Sequence, residues 1–481
     1  MNQAPIFIAF AGMHLPLRIA AILTWVFIAY LFRRDFQQKP DVTRALWIPF
    51  LWIFFIASRS TSQWFTVFGL PTGGGSLEEG TPLDAAVQFG LMAAGFFVLT
   101  KRQVNLAEVF RNNAWLTVFL LYCFIAVAWS DFPFVAFKRW FKMLGNPIMV
   151  LIIFSEPDTK EALITLLKRC AYVLVPLSIL FIRYYEEWGR YYDEWTGGTA
   201  NTGVTIDKNM LGCSSLVLGL FFFWDLLKIL RSNKSKFRRN ELVLNLTFLC
   251  MIWWLLQKAN SATSLVAFVL GMLVMTLLGR RFVNRRLIGT YVLAGAVLVA
   301  VAELSFGLFS RLVELVGRDS TLTGRTGVWK ECLAIHINPI FGVGFQSFWL
   351  GDRLEKLWSL HWWHANEAHN GYLETYLNLG LLGLAILVGL LLATFCKARR
   401  ELLNDFEFGR FRLGFLATIV VYNWTESTFQ GINVLFFAFW LIAIDYPRNC
   451  LAPVEEFPET GSAEEMELIY LPHADSKSVI L

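Results

Sequence analysis

Apolar residues occur along this chain in runs of about 20, and most runs end in a short cluster of charge. A run of that length is what a helix needs to cross a hydrocarbon core ~30 Å thick. The pattern predicts spans near 8–31, 45–58, 83–100, 114–130, 134–154, 163–182, 209–230, 241–257, 262–279, 287–304, 373–395, 411–426 and 431–446. The second and fifth are the weakest, and the second is short and runs into Arg59. The expected fold is an all-α polytopic membrane protein with twelve or thirteen transmembrane helices.

The loops between these spans separate by charge. One alternate set carries Arg33-Arg34, Lys101-Arg102, Lys168-Arg169, RSNKSKFRRN at 231–240, GRRFVNRR at 279–286 and KARR at 397–400. The positive-inside rule places this set in the cytoplasm. Thirteen spans put the N-terminus outside and the tail inside; twelve would change that parity. Two loops of the opposite set stand out. Residues 183–208 are aromatic and acidic, with Arg183 and Arg190. Residues 305–372 form a loop far longer than ordinary connections, which points to function or internal structure. Within it, Thr326 to His336 reads as a short helix on the membrane surface, with Trp329, Leu333 and His336 near one face.

Composition agrees with this reading. The chain of 481 residues is 56% hydrophobic and 16% charged, against ~45–50% and ~25% in soluble proteins. Its net charge of +5 sits in short loops, with no long basic face for nucleic acid. The N-terminal apolar stretch lacks a clear small-residue cleavage site and is read as a retained span. Of seven cysteines only Cys332 falls in an extracytoplasmic loop, so no disulfide is expected there. Residues 1–446 are expected to form a single transmembrane domain with its motif-bearing core at 183–395. The acidic tail 447–481 is expected to be cytoplasmic and disordered.

Candidate chemistry concentrates at HWWHANEAHNGYLETYLNLGLLG, residues 361–383. His361, His364, Glu367 and His369 are all possible metal ligands. At 100° per residue His361 and His364 share a helical face while His369 is rotated away, and no second metal motif accompanies them. No metal or other cofactor is therefore expected. His369 stands just before the span near 373, where a neutral imidazole could take a proton from an attacking hydroxyl. Glu367 and Asn370 are close enough in sequence to orient it; a structural, helix-capping histidine is the plainer alternative. Arg190, Arg311, Arg318 and Arg325 lie on the outer side, where the charge bias disfavours them. A guanidinium binds phosphate oxygens bidentately, and Gly324 and Gly327 flank Arg325. The many tryptophans and tyrosines of both loops suit an interfacial belt or sugar stacking.

With these residues in place, the chain resembles the O-antigen ligase and polysaccharide polymerase superfamily. The resemblance rests on His369-Asn370 followed by Gly380 and Gly383, on Gly324-Arg325 with Trp329, and on PIFGVG at 339–344. TGVTIDKNMLG at 202–212 is similar to an element of exopolysaccharide polymerases. The resemblance implies a metal-independent glycosyltransferase of the inner membrane, active on its extracytoplasmic face, with a polyprenyl-diphosphate-linked oligosaccharide as donor and a glycan or lipid as acceptor. It places the family's histidine on His369, one arginine on Arg325 and another on Arg190, with Arg183 competing. Arg183, Arg318, Trp329, Glu367 and Asn370 are expected to bind substrate. A polymerase is favoured over a ligase to lipid A core. A transporter, the distant alternative, predicts internal repeats, broken helices and midplane charges.

Overall fold

The computed structural model describes residues 15–38, 40–72, 80–193, 197–231, 236–306, 325–360 and 364–446. These are almost entirely helical, with one antiparallel hairpin pairing Arg190–Asp193 with Gly198–Asn201. The all-α membrane reading holds. Arg311, Arg318, His361 and the acidic tail lie outside the described residues.

Six described helices are long and apolar enough to cross a membrane: Pro82–Lys101, Thr159–Tyr184, Lys208–Arg231, Arg238–Ala259, Arg285–Glu303 and Gly371–Asn404. Two bent pairs raise the number to eight, and the apolar helices Ala262–Leu278 and Val434–Ala443 are shorter. One bent pair, Arg44–Ile56 with Thr61–Val67, turns by 65°. The turn falls where Ser60 begins a new helix by bonding Gln63, which reciprocates to the Ser60 amide. The other, Leu106–Asn112 with Ala114–Trp129, turns by 101°. Here the Asn113 amide donates to Val109 O and to Asp445 O, anchoring the corner to a distant strand of chain.

The expected span 134–154 is corrected to two helices, Pro133–Met143 and Gly145–Phe154. Lys138, Arg139 and Lys142 give the first a polar face, and the second, at 10 residues, is too short to cross. Hydropathy averaged over the pair hides the change of character.

Thr159–Tyr184 carries an ionic lock near its middle, at Lys168 and Arg169. Arg169 Nη2 meets Asp35 at 2.8 Å, and Lys168 meets Glu241 at 2.8 Å and Asp225 at 3.2 Å. These pairs join four helices through buried charges that satisfy one another. The same helix ends at Tyr184, beside the 185–207 segment.

The most consequential element is Gly371–Asn404. Its helical path is interrupted at Gly380, with φ +68°. The PIFGVG segment fills the interruption: Leu381 N donates to Pro339 O (2.8 Å) and Leu382 N to Ile340 O (3.1 Å). In return Val343 N donates to Leu377 O (3.2 Å) and Gly344 N to Asn378 O (2.9 Å). Tyr122 Oη donates to Leu379 O, and the Asn378 side chain accepts from Ser347 N and Phe348 N. A broken helix leaves peptide groups that cannot stay unpaired in an apolar setting. Here the same chain supplies the partners.

Candidate active site

The residues just before this helix are pinned from several sides. Asn370 caps it, its side chain accepting from Tyr372 N and Leu373 N at 3.0 Å each. Gly371 N donates to both Asn423 O and Glu426 O at 2.9 Å. A Cβ on Gly371 would lie 2.3 Å from Asn423 Oδ1, so the approach requires glycine. One residue before His369, Ala368 donates from its amide to Glu374 and accepts from the Trp329 indole at 2.7 Å. His369 itself has φ +47°, a conformation that side-chain-bearing residues seldom adopt. Such a backbone persists only where its surroundings over-determine it.

Held in this way, His369 Nδ1 lies 2.8 Å from Glu367 Oε1 and 3.3 Å from Glu426 Oε2. Glu426 follows the Phe406–Tyr422 helix, and its other oxygen accepts from Arg325 Nη2 at 2.8 Å. A second nitrogen of Arg325 donates to Thr425 O. The cluster is thus two carboxylates, an imidazole and a guanidinium. Side-chain exposure falls from 37% at Glu367 through 23% at His369 to 7% at Glu426, so Glu367 is the open acid and Glu426 the closed one.

Electrostatics set the protonation states. Burial alone would disfavour a charged imidazole, but Glu367, and then Glu426, outweigh it and push His369 up to about 10. Burial likewise opposes charge on Glu426, yet His369 and Arg325 hold its carboxyl below the usual range. At neutral pH this arrangement holds His369 as an imidazolium, whereas the sequence reading took it as a neutral proton acceptor. Because the folded-state value lies above the ordinary 6.5, protonation stabilises the fold. That contribution is complete below about 6.5 and is lost as pH rises toward about 10. The difference in thermal midpoint between the wild type and His369→Gln should therefore be largest near pH 6 and shrink by pH 10. Equal differences at the two ends would contradict the assignment.

Arg325 is joined to this site through Glu426. Because two of its nitrogens reach two different oxygens, a lysine point charge cannot replace it. Arg325→Lys should lose nearly as much transfer activity as Arg325→Ala, and the alanine variant should also cost about 3 kcal/mol of stability, as removing one partner of a buried pair does. Full activity in the lysine variant would reduce the role to charge alone.

The other expected residues divide. Trp329 and Asn370 build the loop that carries His369, and Glu367 contacts its ring directly. Arg190 is otherwise engaged: Nε and Nη2 donate to Ile182 O at 3.0 and 2.7 Å, and Nη1 meets Glu186 at 2.8 Å. It closes the end of the Thr159–Tyr184 helix. Arg183 lies exposed in the last turn of that helix. The 183–208 segment approaches the cluster through Asp207. Burial raises this carboxyl first, and the nearby charges of Glu426 and Glu367 add to the rise. His364 stands apart against Trp358, ring centroids 4.9 Å apart.

The short surface helix is Arg325–Ala334, and it packs differently from expectation. Val328 and Cys332, one turn apart, are its buried face; Leu333 is exposed, and so is His336 beyond the helix end. The anchoring of Trp329 to Ala368 fixes that rotation. Cys332 is a buried free thiol. Sequence reasoning missed Glu426 because the apolar window 411–426 absorbed it. An acid at the edge of a predicted span is itself a signal of function.

Comparison with known proteins bears on this geometry. Residues 246–388 match the family model described as O-Antigen ligase, a segment that contains Arg325, Glu367 and His369. The chain is also 26% identical over 314 residues to the Exopolysaccharide production protein ExoQ of Rhizobium meliloti (strain 1021). That alignment covers 63% of this chain and 69% of the relative. The matched segment, the relative and the membrane helices together support placing this chain in the O-antigen ligase/polymerase family.

Proposed function

We propose that the protein is a membrane glycosyltransferase that extends a surface polysaccharide, taking oligosaccharide from a polyprenyl-diphosphate donor and acting as a polymerase. The observation that carries this is the pairing of two fixed cations, His369 and Arg325, with one open carboxylate, Glu367, at one site. The cations match a leaving diphosphate, whose developing charge they stabilise without reorganising. Glu367 takes the proton of the acceptor hydroxyl as its oxygen bonds to the anomeric carbon. The bond from that carbon to the phosphate oxygen breaks, and the diphosphate leaves with the electron pair. Attack from the face opposite the leaving group inverts the anomeric centre. The similarity to a protein of exopolysaccharide production favours a polymerase over a ligase to lipid A core.

The site-bearing loops belong to the set poor in basic residues, which supports an active site on the extracytoplasmic face of a bacterial inner membrane. Glu367, His369 and Glu426 bring three potential metal-ligand atoms within 4.8 Å of one another. Imidazolium and guanidinium already balance the two carboxylates, and Arg325 occupies one oxygen of Glu426. This balance supports a metal-independent reaction. Exhaustive chelation should leave the rate within about twofold of the untreated enzyme; restoration of a lost rate by a divalent ion would overturn this.

A transporter predicts a broken helix, and one is present at Gly380. Its free peptide groups, however, are bonded to residues 339–344 of the same chain and are not left open to a substrate. Purified protein in sealed vesicles, given a lipid-diphosphate oligosaccharide, separates the readings. Longer glycans are expected. Translocation without bond formation would replace this proposal by a flippase, and transfer only to lipid A core would replace polymerase by ligase.

A further inference from the structure

A cavity of about 290 Å³ adjoins the His369 cluster on its Glu367 side. Arg139, Gln346, Trp349, Trp358, Glu367 and Gln430 are among its walls. Glu367 belongs to both places, since Oε1 meets His369 Nδ1 at 2.8 Å. The volume lies near the lower bound of the ~300–1,000 Å³ usual for small-molecule sites, which suits a compact occupant and not a long lipid chain.

The wall chemistry narrows the occupant further. Both indole N–H groups are already engaged: Trp349 donates to the Glu374 carboxylate and Trp358 to Ala365 O. What these residues still offer is aromatic surface. By contrast, Gln346 Nε2 and Gln430 Nε2 are buried without a hydrogen-bond partner. Buried amides are ordinarily satisfied, so two unsatisfied ones on one cavity point to an occupant that completes them. A hydroxyl both donates and accepts and therefore suits either end of an amide.

Gln346 is also held in the left-handed region, φ +49°, with its carbonyl accepting from Arg139. Backbone of this kind gathers at ligand-holding sites. The walls carry the carboxylates of Glu367 and Glu374 against the guanidinium of Arg139. That balance does not favour a diphosphate. A ring with apolar C–H faces and several hydroxyls fits all of these terms.

We propose that this cavity is the acceptor subsite, holding the sugar whose hydroxyl attacks the donor. The hydroxyl sits at the Glu367 wall and gives its proton to that carboxylate. The amides of Gln346 and Gln430 fix the ring's other hydroxyls, and Trp349 and Trp358 cover its C–H surface. The donor diphosphate lies on the other side of the cluster, toward Arg325. The assignment of the sugar as acceptor rests on the glycosyl-transfer reading above; the saccharide chemistry of the cavity does not.

The test uses the full chain in detergent and oligosaccharides released by partial acid hydrolysis from the host's own surface polysaccharide, free of lipid. Saturation-transfer NMR should detect binding to the wild type and equally to His369→Ala, which cannot turn over. Gln346→Ala combined with Gln430→Ala should weaken that binding at least tenfold. Gln430→Leu, which keeps the volume, should do so in part while retaining the wild-type thermal midpoint. In turnover with lipid-linked donor, the same variants should raise the acceptor KM at least tenfold and leave the donor KM unchanged.

Absent binding to the wild type, or unchanged binding in the double variant, overturns the subsite. A rise confined to the donor KM overturns its assignment to the acceptor. Binding that survives in a protein shown to form no glycosidic bond would instead sink the glycosyl-transfer reading and leave a saccharide site standing.

Discussion

Replacing His369 with alanine should lower glycosyl transfer by roughly 10²–10³-fold, the range lost when one fixed group that stabilises developing charge is removed. Removing the imidazolium deletes one of two cations for the diphosphate and frees Glu367 from its 2.8 Å partner. The fold should survive, because Arg325 still pairs with Glu426 and Asn370 still caps the helix. Expression is therefore expected to stay near wild type, measured by yield, while retention of lipid-linked donor weakens but persists through Arg325. The pH profile adds a readout that a merely structural histidine would not move. If His369 acts as the imidazolium, activity falls as pH climbs toward about 10. If instead it acts as a neutral base, activity rises over the same interval. Near wild-type turnover in the alanine variant would remove His369 from the mechanism.

Gly380→Ala should be the most damaging of the conservative substitutions. A Cβ there would lie 2.1 Å from Ile340 O, and the residue's φ of +68° already excludes most side chains. The obstacle is a backbone oxygen that itself bonds Leu382 N, so no side chain can swing away to make room. Strain at such a position costs about 1–3 kcal/mol before any clash is counted. We expect a large fall in thermal midpoint together with loss of transfer. Gly295→Ala serves as the control, since nothing lies within 4 Å of its added carbon. Equal thermal midpoints for the two variants would mean that the plugged helix break is not under steric control.

Composition and run length made the membrane helices legible, because crossing a bilayer is a demand on length and apolarity alone. Direction is a different matter. The bends before Thr61 and at Asn113 depend on caps and on a distant Asp445 carbonyl, to which a hydropathy window is blind. His369 and Arg325 stood out because histidine and outward arginine are unusual beside apolar spans, and the structure brings both to one cluster. The disposition of Arg190 was illegible for a converse reason. Its partners are a carbonyl and an acid within eight residues, and spacing cannot tell such local use from a ligand contact. The 190–201 hairpin did leave a trace, aromatic residues followed by paired glycines, which strand-seeking patterns recognise.

PIFGVG and the Gly380 region are both visible as short glycine-bearing motifs, but nothing in either announces that one completes the other. That completion also has a temporal side. Residues 339–344 precede residues 377–382 in the chain, so the segment that completes the discontinuous helix is synthesised before it. A chain with the two segments exchanged in order would have to store an unfinished helix while waiting for its remedy. Damage to either partner should accordingly surface as a defect of biogenesis, with the pair of lesions together little worse than one, the non-additivity expected of residues that share a single structural event.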